Sequence, residues 1–230
     1  MKITSKRLLE EKKKINKTSF YPVQQAINLV KSTASAKFNE SIEAHISLNI
    51  DPKYADQQLR TTVILPFGTG KEVRIGALVS NERIAEAKES GADVFGSEDL
   101  IESISKGVLN FDLLIATADM MPKLAKLGRI LGPKGLMPSP KAGTVTSNLK
   151  ATIEEFKKGK LEYRADKTGI VHISFGKANF SEENLIENLR AFYSSVETNK
   201  PSGVKGKYIK KFTLCSTMGP AIYLDLNSFS

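Results

Sequence analysis

The segment closest to a phosphate-cradling loop is Gly68-Thr69-Gly70-Lys71, because glycine amides and a lysine are what a polyphosphate requires. Its spacing does not fit. A Walker-type loop needs a glycine five residues before Gly70, where Leu65 stands, and a Ser or Thr where Glu72 stands. Nucleophilic chemistry fares no better: no serine sits in a Gly-x-Ser-x-Gly setting, and Cys215 has no partner base near it in the chain. One cysteine and two histidines, His45 and His172, offer no zinc-ligand spacing. The expectation is therefore no catalytic residue, no metal site and no cofactor, and an α/β nucleotide enzyme is the weakest functional reading.

Charge points elsewhere. With 34 Lys+Arg against 25 Asp+Glu in 230 residues the formal net charge is +9, which favours nucleic acid or an anionic surface. Residues 120 to 150 hold no Asp or Glu, yet include Lys123, Lys126, Arg129, Lys134, Lys141 and Lys150. Threaded through them is Leu-Gly-Arg-Ile-Leu-Gly-Pro-Lys-Gly-Leu-Met-Pro from Leu127 to Pro138, followed by Ser139, Pro140 and Lys141. Three prolines and several glycines predict a loop that is neither regular helix nor strand, with no acid to neutralise it. Lys200, Lys205, Lys207, Lys210 and Lys211 make a second cationic stretch leading to Thr217-Met218-Gly219-Pro220.

Such residues need elements to position them. Ile42, Ala44, Ile46, Leu48 and Ile50 alternate with Glu43, His45, Ser47 and Asn49, a period of two with one buried face. The alternation returns at Val171, Ile173 and Phe175, and at Phe212 and Leu214, as in antiparallel or mixed sheets. Arg164 to Gly169 predicts a hairpin turn; Asp166 and Lys167 either pair across it or meet nucleic acid. His45 and His172 fall on polar strand faces, either solvated and hydrogen-bonded or available to a ligand. The middle differs: Val73–Val79 and Leu113–Ala116 are near-continuous apolar runs, as in parallel strands covered on both sides. Helices are predicted from Asn81, from Ser97 as a cap, after Pro22 and after Ser181.

The economical architecture is discontinuous. Residues 1–67 and 160–230 form an outer two-layer α+β domain, and 68–159 form an inserted Rossmann-like α/β domain with a parallel sheet. Composition is ordinary globular, 40% apolar and 26% charged, and no apolar run reaches bilayer length, so no membrane partner is expected. A single cysteine excludes an intramolecular disulfide and suits a reducing compartment.

Taken together these segments resemble the large-subunit ribosomal protein L1 family over nearly the whole chain. The resemblance is carried by Leu127 to Pro138, with Ala36-Lys37-Phe38, Asp51-Pro52-Lys53, Gln57-Gln58-Leu59-Arg60, Gly91-Ala92-Asp93 and Thr217-Met218-Gly219-Pro220 in the same order. Tyr54 to Thr62 is similar to the cyanobacterial and plastid branch, which implies a plastid stromal ribosome, or alternatively a bacterial cytoplasm. The family resemblance implies a non-enzymatic constituent of the large ribosomal subunit. It would bind 23S-type rRNA at the mobile stalk near the tRNA exit site, help release deacylated tRNA, and be monomeric off the ribosome. The alternative is a translational repressor using the same surface on its own mRNA. Carried over, the RNA-binding set is Lys37, Phe38, Ser41, Asp166, Lys167, Thr168, His172, Thr217, Met218 and Gly219. Arg129, Lys134 and Lys141 are secondary contacts from the inserted domain.

Overall fold

The computed structural model describes residues 5–16, 18–204 and 206–229, so Lys205 of the second cationic stretch lies outside the described residues. In chain order the elements are α1 (Lys6–Lys13), α2 (Val23–Thr33), β1 (Ser41–Leu48) and β2 (Arg60–Ile64). Then come β3 (Ile75–Leu78), α3 (Ile84–Glu89), β4 (Val94–Gly96), α4 (Glu98–Ser105), β5 (Leu113–Ala116), α5 (Met121–Ala125), α6 (Gly128–Leu131) and α7 (Leu149–Lys157). The chain closes with β6 (Lys160–Arg164), β7 (Ile170–Lys177), α8 (Glu182–Thr198), β8 (Ile209–Ser216) and β9 (Ile222–Tyr223). It separates into two compact units, one made of Met1–Gly70 with Leu161–Ser230, the other of Lys71–Lys160.

In the first unit β7-β1-β8-β9 form an antiparallel sheet, with β1 paired to β7 on one side and to β8 on the other. The period of two is realised directly. Ile42, Ala44, Ile46, Val171, Phe175, Phe212 and Leu214 point into a core closed by α2 and α8, while the alternate residues face outward. Helix α8 starts where Ser181 Oγ accepts from Asn184 N at 3.2 Å, and it buries Leu185, Leu189, Phe192 and Val196. Phe192 meets Tyr163 and Phe212 edge-on, at ring centroids of 5.4 and 6.4 Å. The smaller ribbon β2-β6 carries the chain out of this unit and back, and Arg60 pairs with Glu162 across it.

The second unit is a parallel sheet of order β4-β3-β5 with a core on each face. Leu78, Leu114, Leu100, Ile104 and Leu124 fill one side; Ile75, Ala77, Ile115, Ile153 and Phe156 fill the other. That double coverage is why these strands read as unbroken apolar runs. Ser97 does occupy the position before α4, but its backbone (φ −117°, ψ −110°) leaves the hydroxyl without a capping bond. The expectation of an irregular 127–141 run needs correcting too. Gly128–Leu131 is one α-helical turn, because Leu127 and Leu131 anchor it in the core before Pro133 ends it.

Candidate nucleic-acid interface

At one end of the antiparallel sheet, the loop before β1 is cross-tied to the turn after β8. Ser41 N donates to Thr217 Oγ1 at 3.0 Å, and Thr217 N donates back to Ser41 O at 3.0 Å. Glu40, 1% exposed, accepts from Ala36 N and from Met218 N, each at 2.8 Å. Burial alone would raise its pKa, but the amides of Met218 and Ala36, helped by the Arg7 charge, outweigh that and hold it below the usual carboxylate range. Arg7 also donates to Met218 O at 3.1 Å and Ser35 Oγ at 3.2 Å, and Lys177 Nζ donates to Ser41 Oγ at 2.8 Å.

What this clamp leaves outside is apolar and cationic. Phe38 is 54% and Met218 51% exposed, and Lys37, next to Phe38 in sequence, is exposed as well. The Thr217 hydroxyl, by contrast, is already engaged with Ser41 N and, at 3.3 Å, Ser41 O. Gly219 is not in a left-handed conformation; a Cβ there would collide with Ser216 Oγ, so any other residue requires that hydroxyl to rotate away.

The hairpin at the other end of β7 is pinned by Asp166. Its carboxylate accepts from Thr168 N and Ile170 N at 2.8 Å and from Thr168 Oγ1 at 2.7 Å. Those bonds, led by the Ile170 amide, outweigh partial burial and lower its pKa to about 2. Of the two sequence readings of Asp166 and Lys167, the cross-turn pair does not form; Lys167 is exposed at the tip beside Thr168. Gly169, at φ 77°, completes the turn where a side chain would crowd Ile50.

Between these ends lies the sheet's outward face. His172 Nε2 stands 3.6 Å from Asp166 Oδ2, and His172 Nδ1 is 2.8 Å from His45 Nδ1. His45 Nε2 is in turn 3.1 Å from Cys215 Sγ, so the cysteine that lacked a base in sequence acquires one across β1 and β8. Burial first, then the neighbouring His172, lowers the His45 pKa and so favours the neutral ring; burial and Glu43 push the Cys215 thiol up to about 11.

In the other unit Arg129, Lys134 and Lys141 are all exposed, on α6, in the following turn and in the short turn Pro140–Ala142. The run is not wholly unneutralised, since Glu98 of α4 pairs with Lys123 at 2.7 Å.

Sequence reasoning missed Glu40 and Arg7. A glutamate in a polar loop carries no sequence mark of burial, and one of its two amide donors, Met218 N, comes from the far end of the chain.

Fold and site together define a discontinuous two-unit protein that presents an open sheet face with cationic and apolar groups at its ends. The chain belongs to the ribosomal protein L1p/L10e family, whose model matches residues 30–220. It is 60% identical to the large ribosomal subunit protein uL1c of Trieres chinensis, over all of both chains. It is also 60% identical to uL1c of Guillardia theta, covering 100% of this chain and 97% of that one. Against uL1 of Prochlorococcus marinus (strain MIT 9515) identity is 59%, covering 99% and 97%. The family consists of structural proteins rather than enzymes.

Proposed function

We propose that this chain is a structural constituent of the large ribosomal subunit and binds 23S-type rRNA directly, on the stalk near the tRNA exit site, helping release of deacylated tRNA. The observation that carries the interface is the clamp: Glu40 and Thr217 fix a turn from which Phe38 and Met218 project into solvent. A large apolar side chain held outward at a rigid turn is suited to packing on a base or ribose, and lysines around it to phosphates. Lys37, Lys167 and the exposed His172 extend the surface along the sheet, while Ser41, Asp166, Thr168, Thr217 and Gly219 shape the turns. Arg129, Lys134 and Lys141 add electrostatic contacts. The uL1c relatives support a plastid ribosome, and the Prochlorococcus relative supports the alternative of a bacterial cytoplasm.

Binding of the full chain to a stalk fragment of large-subunit rRNA tests the reading. Phe38→Ala should weaken binding by about fivefold or more, because aromatic stacking on a base is worth roughly 1–3 kcal/mol, and Met218→Ala, which removes only apolar packing, should weaken it less. Unchanged affinity in both variants would place the interface elsewhere.

A further inference from the structure

Glu43 and Cys215 are direct cross-strand partners in the β1/β8 register, and His45 lies two residues along on the same outward face. One ligand atom from each lies within 4.8 Å of the others, and all three residues are partly exposed. We propose that Glu43, His45 and Cys215 form a site for a single divalent cation of the zinc class.

The donor set selects the metal. A thiolate with an imidazole and one carboxylate suits zinc and disfavours magnesium or calcium, which want oxygen alone. Around tetrahedral zinc, ligand atoms stand about 3.4–3.6 Å apart, given ordinary bond lengths. His45 Nε2 is 3.1 Å from Cys215 Sγ and 3.8 Å from Glu43 Oε2, and all three ligand atoms lie within 4.8 Å of one another, so seating the ion requires the Glu43 and Cys215 side chains to rotate towards a common centre beside His45. Three protein ligands leave a fourth position open to solvent, for water or a phosphate oxygen.

A supporting shell is already in place. With the His172 proton on Nε2, towards Asp166, His172 Nδ1 accepts from His45 Nδ1–H, and this leaves the His45 Nε2 lone pair facing Cys215 and Glu43. Without metal the Cys215 S–H donates to that lone pair. Binding replaces it: the S–H bond breaks, sulfur and imidazole nitrogen each bond the cation, and one proton leaves to solvent. Sequence spacing hides this set, since His45 and Cys215 are 170 residues apart. The argument for the site does not rest on the rRNA reading, although His172 belongs to both, and its test uses no RNA.

Chelator-stripped full chain, titrated with zinc against a chromophoric competitor, should bind one equivalent. Cobalt in its place should show thiolate-to-cobalt charge-transfer absorption. Cys215→Ser should abolish that band and weaken zinc binding more than His172→Ala, which keeps the band and costs about 10–100-fold, the usual loss for an outer-shell partner. Glu43→Gln and His45→Gln should also weaken zinc binding, and they carry the decision should Cys215→Ser fail to fold. A natural chain without the band, or zinc affinity indifferent to Glu43→Gln and His45→Gln, would overturn the site.

Discussion

Glu40 is a carboxylate that stays ionised while nearly buried, because two backbone amides and an arginine face it. Removing it strands Ala36 N and Met218 N. Glu40→Ala should therefore destabilise the first unit by about 2 kcal/mol, the order expected for lost charge-assisted bonds. Amide hydrogen exchange at Met218 should speed up in the same variant; unchanged protection there would mean that the turn holds without the clamp. Asp166 gives a pH prediction. Its pKa in the fold is about 2, below the unfolded carboxyl value of about 3.9. A carboxyl lowered by folding contributes stability above the unfolded value and loses it as pH falls through the folded one. The Thr168 and Ile170 amide resonances should accordingly titrate with a midpoint near 2; a midpoint near 4 would show that the turn does not hold the carboxylate.

Among the elements, α8 does more than cover the sheet. Asn188, fully buried on it, accepts from Phe67 N at 3.0 Å and donates to Gly68 O at 2.9 Å and Phe175 O at 2.8 Å. It thus ties β7 to the segment following β2. Asn188→Ala leaves three backbone groups without partners and should cost at least about 2 kcal/mol in denaturant unfolding. A loss below half a kilocalorie would mean that water replaces it. The helix itself was legible, since Leu185, Leu189, Phe192 and Val196 repeat with helical spacing. Asn188 was not, because a buried asparagine on an apolar stripe looks like any polar position until its partners arrive from elsewhere. Ser97 fails in the opposite sense: its type and place promise a cap, and its backbone angles withhold it.

At the scale of the molecule, the salt dependence of the proposed rRNA binding is set by how many phosphates its lysines and arginines neutralise rather than by the net charge of +9. Removing one lysine–phosphate pairing should lower the slope of log K against log salt by about one unit or less. Lys134→Ala and Lys141→Ala should show that reduction with little change in selectivity among RNA sequences; unaltered slopes would remove the second unit from the interface. Phe192 sits where the two layers meet, edge-on to Tyr163 and Phe212. Phe192→Ala should cost roughly 3–5 kcal/mol, read in thermal or denaturant unfolding.

Local pattern was enough for β1, β3, β5, β7 and β8, for the apolar faces of α2 and α8 and for the two styles of sheet, because burial imprints a period of two or 3.6, or an unbroken apolar run, on neighbouring residues; the short strands β2, β4, β6 and β9 carry too little of it. Which polar groups meet was decided only by folding. Glu40 reaches Met218 across 178 positions, and His45 reaches His172 across 127. Their register follows from how α2 and α8 pack the buried face of β1, β7 and β8, and the outward face inherits whatever that packing brings opposite. Periodicity along a strand says which side a residue faces, but nothing of what stands beside it on the next strand.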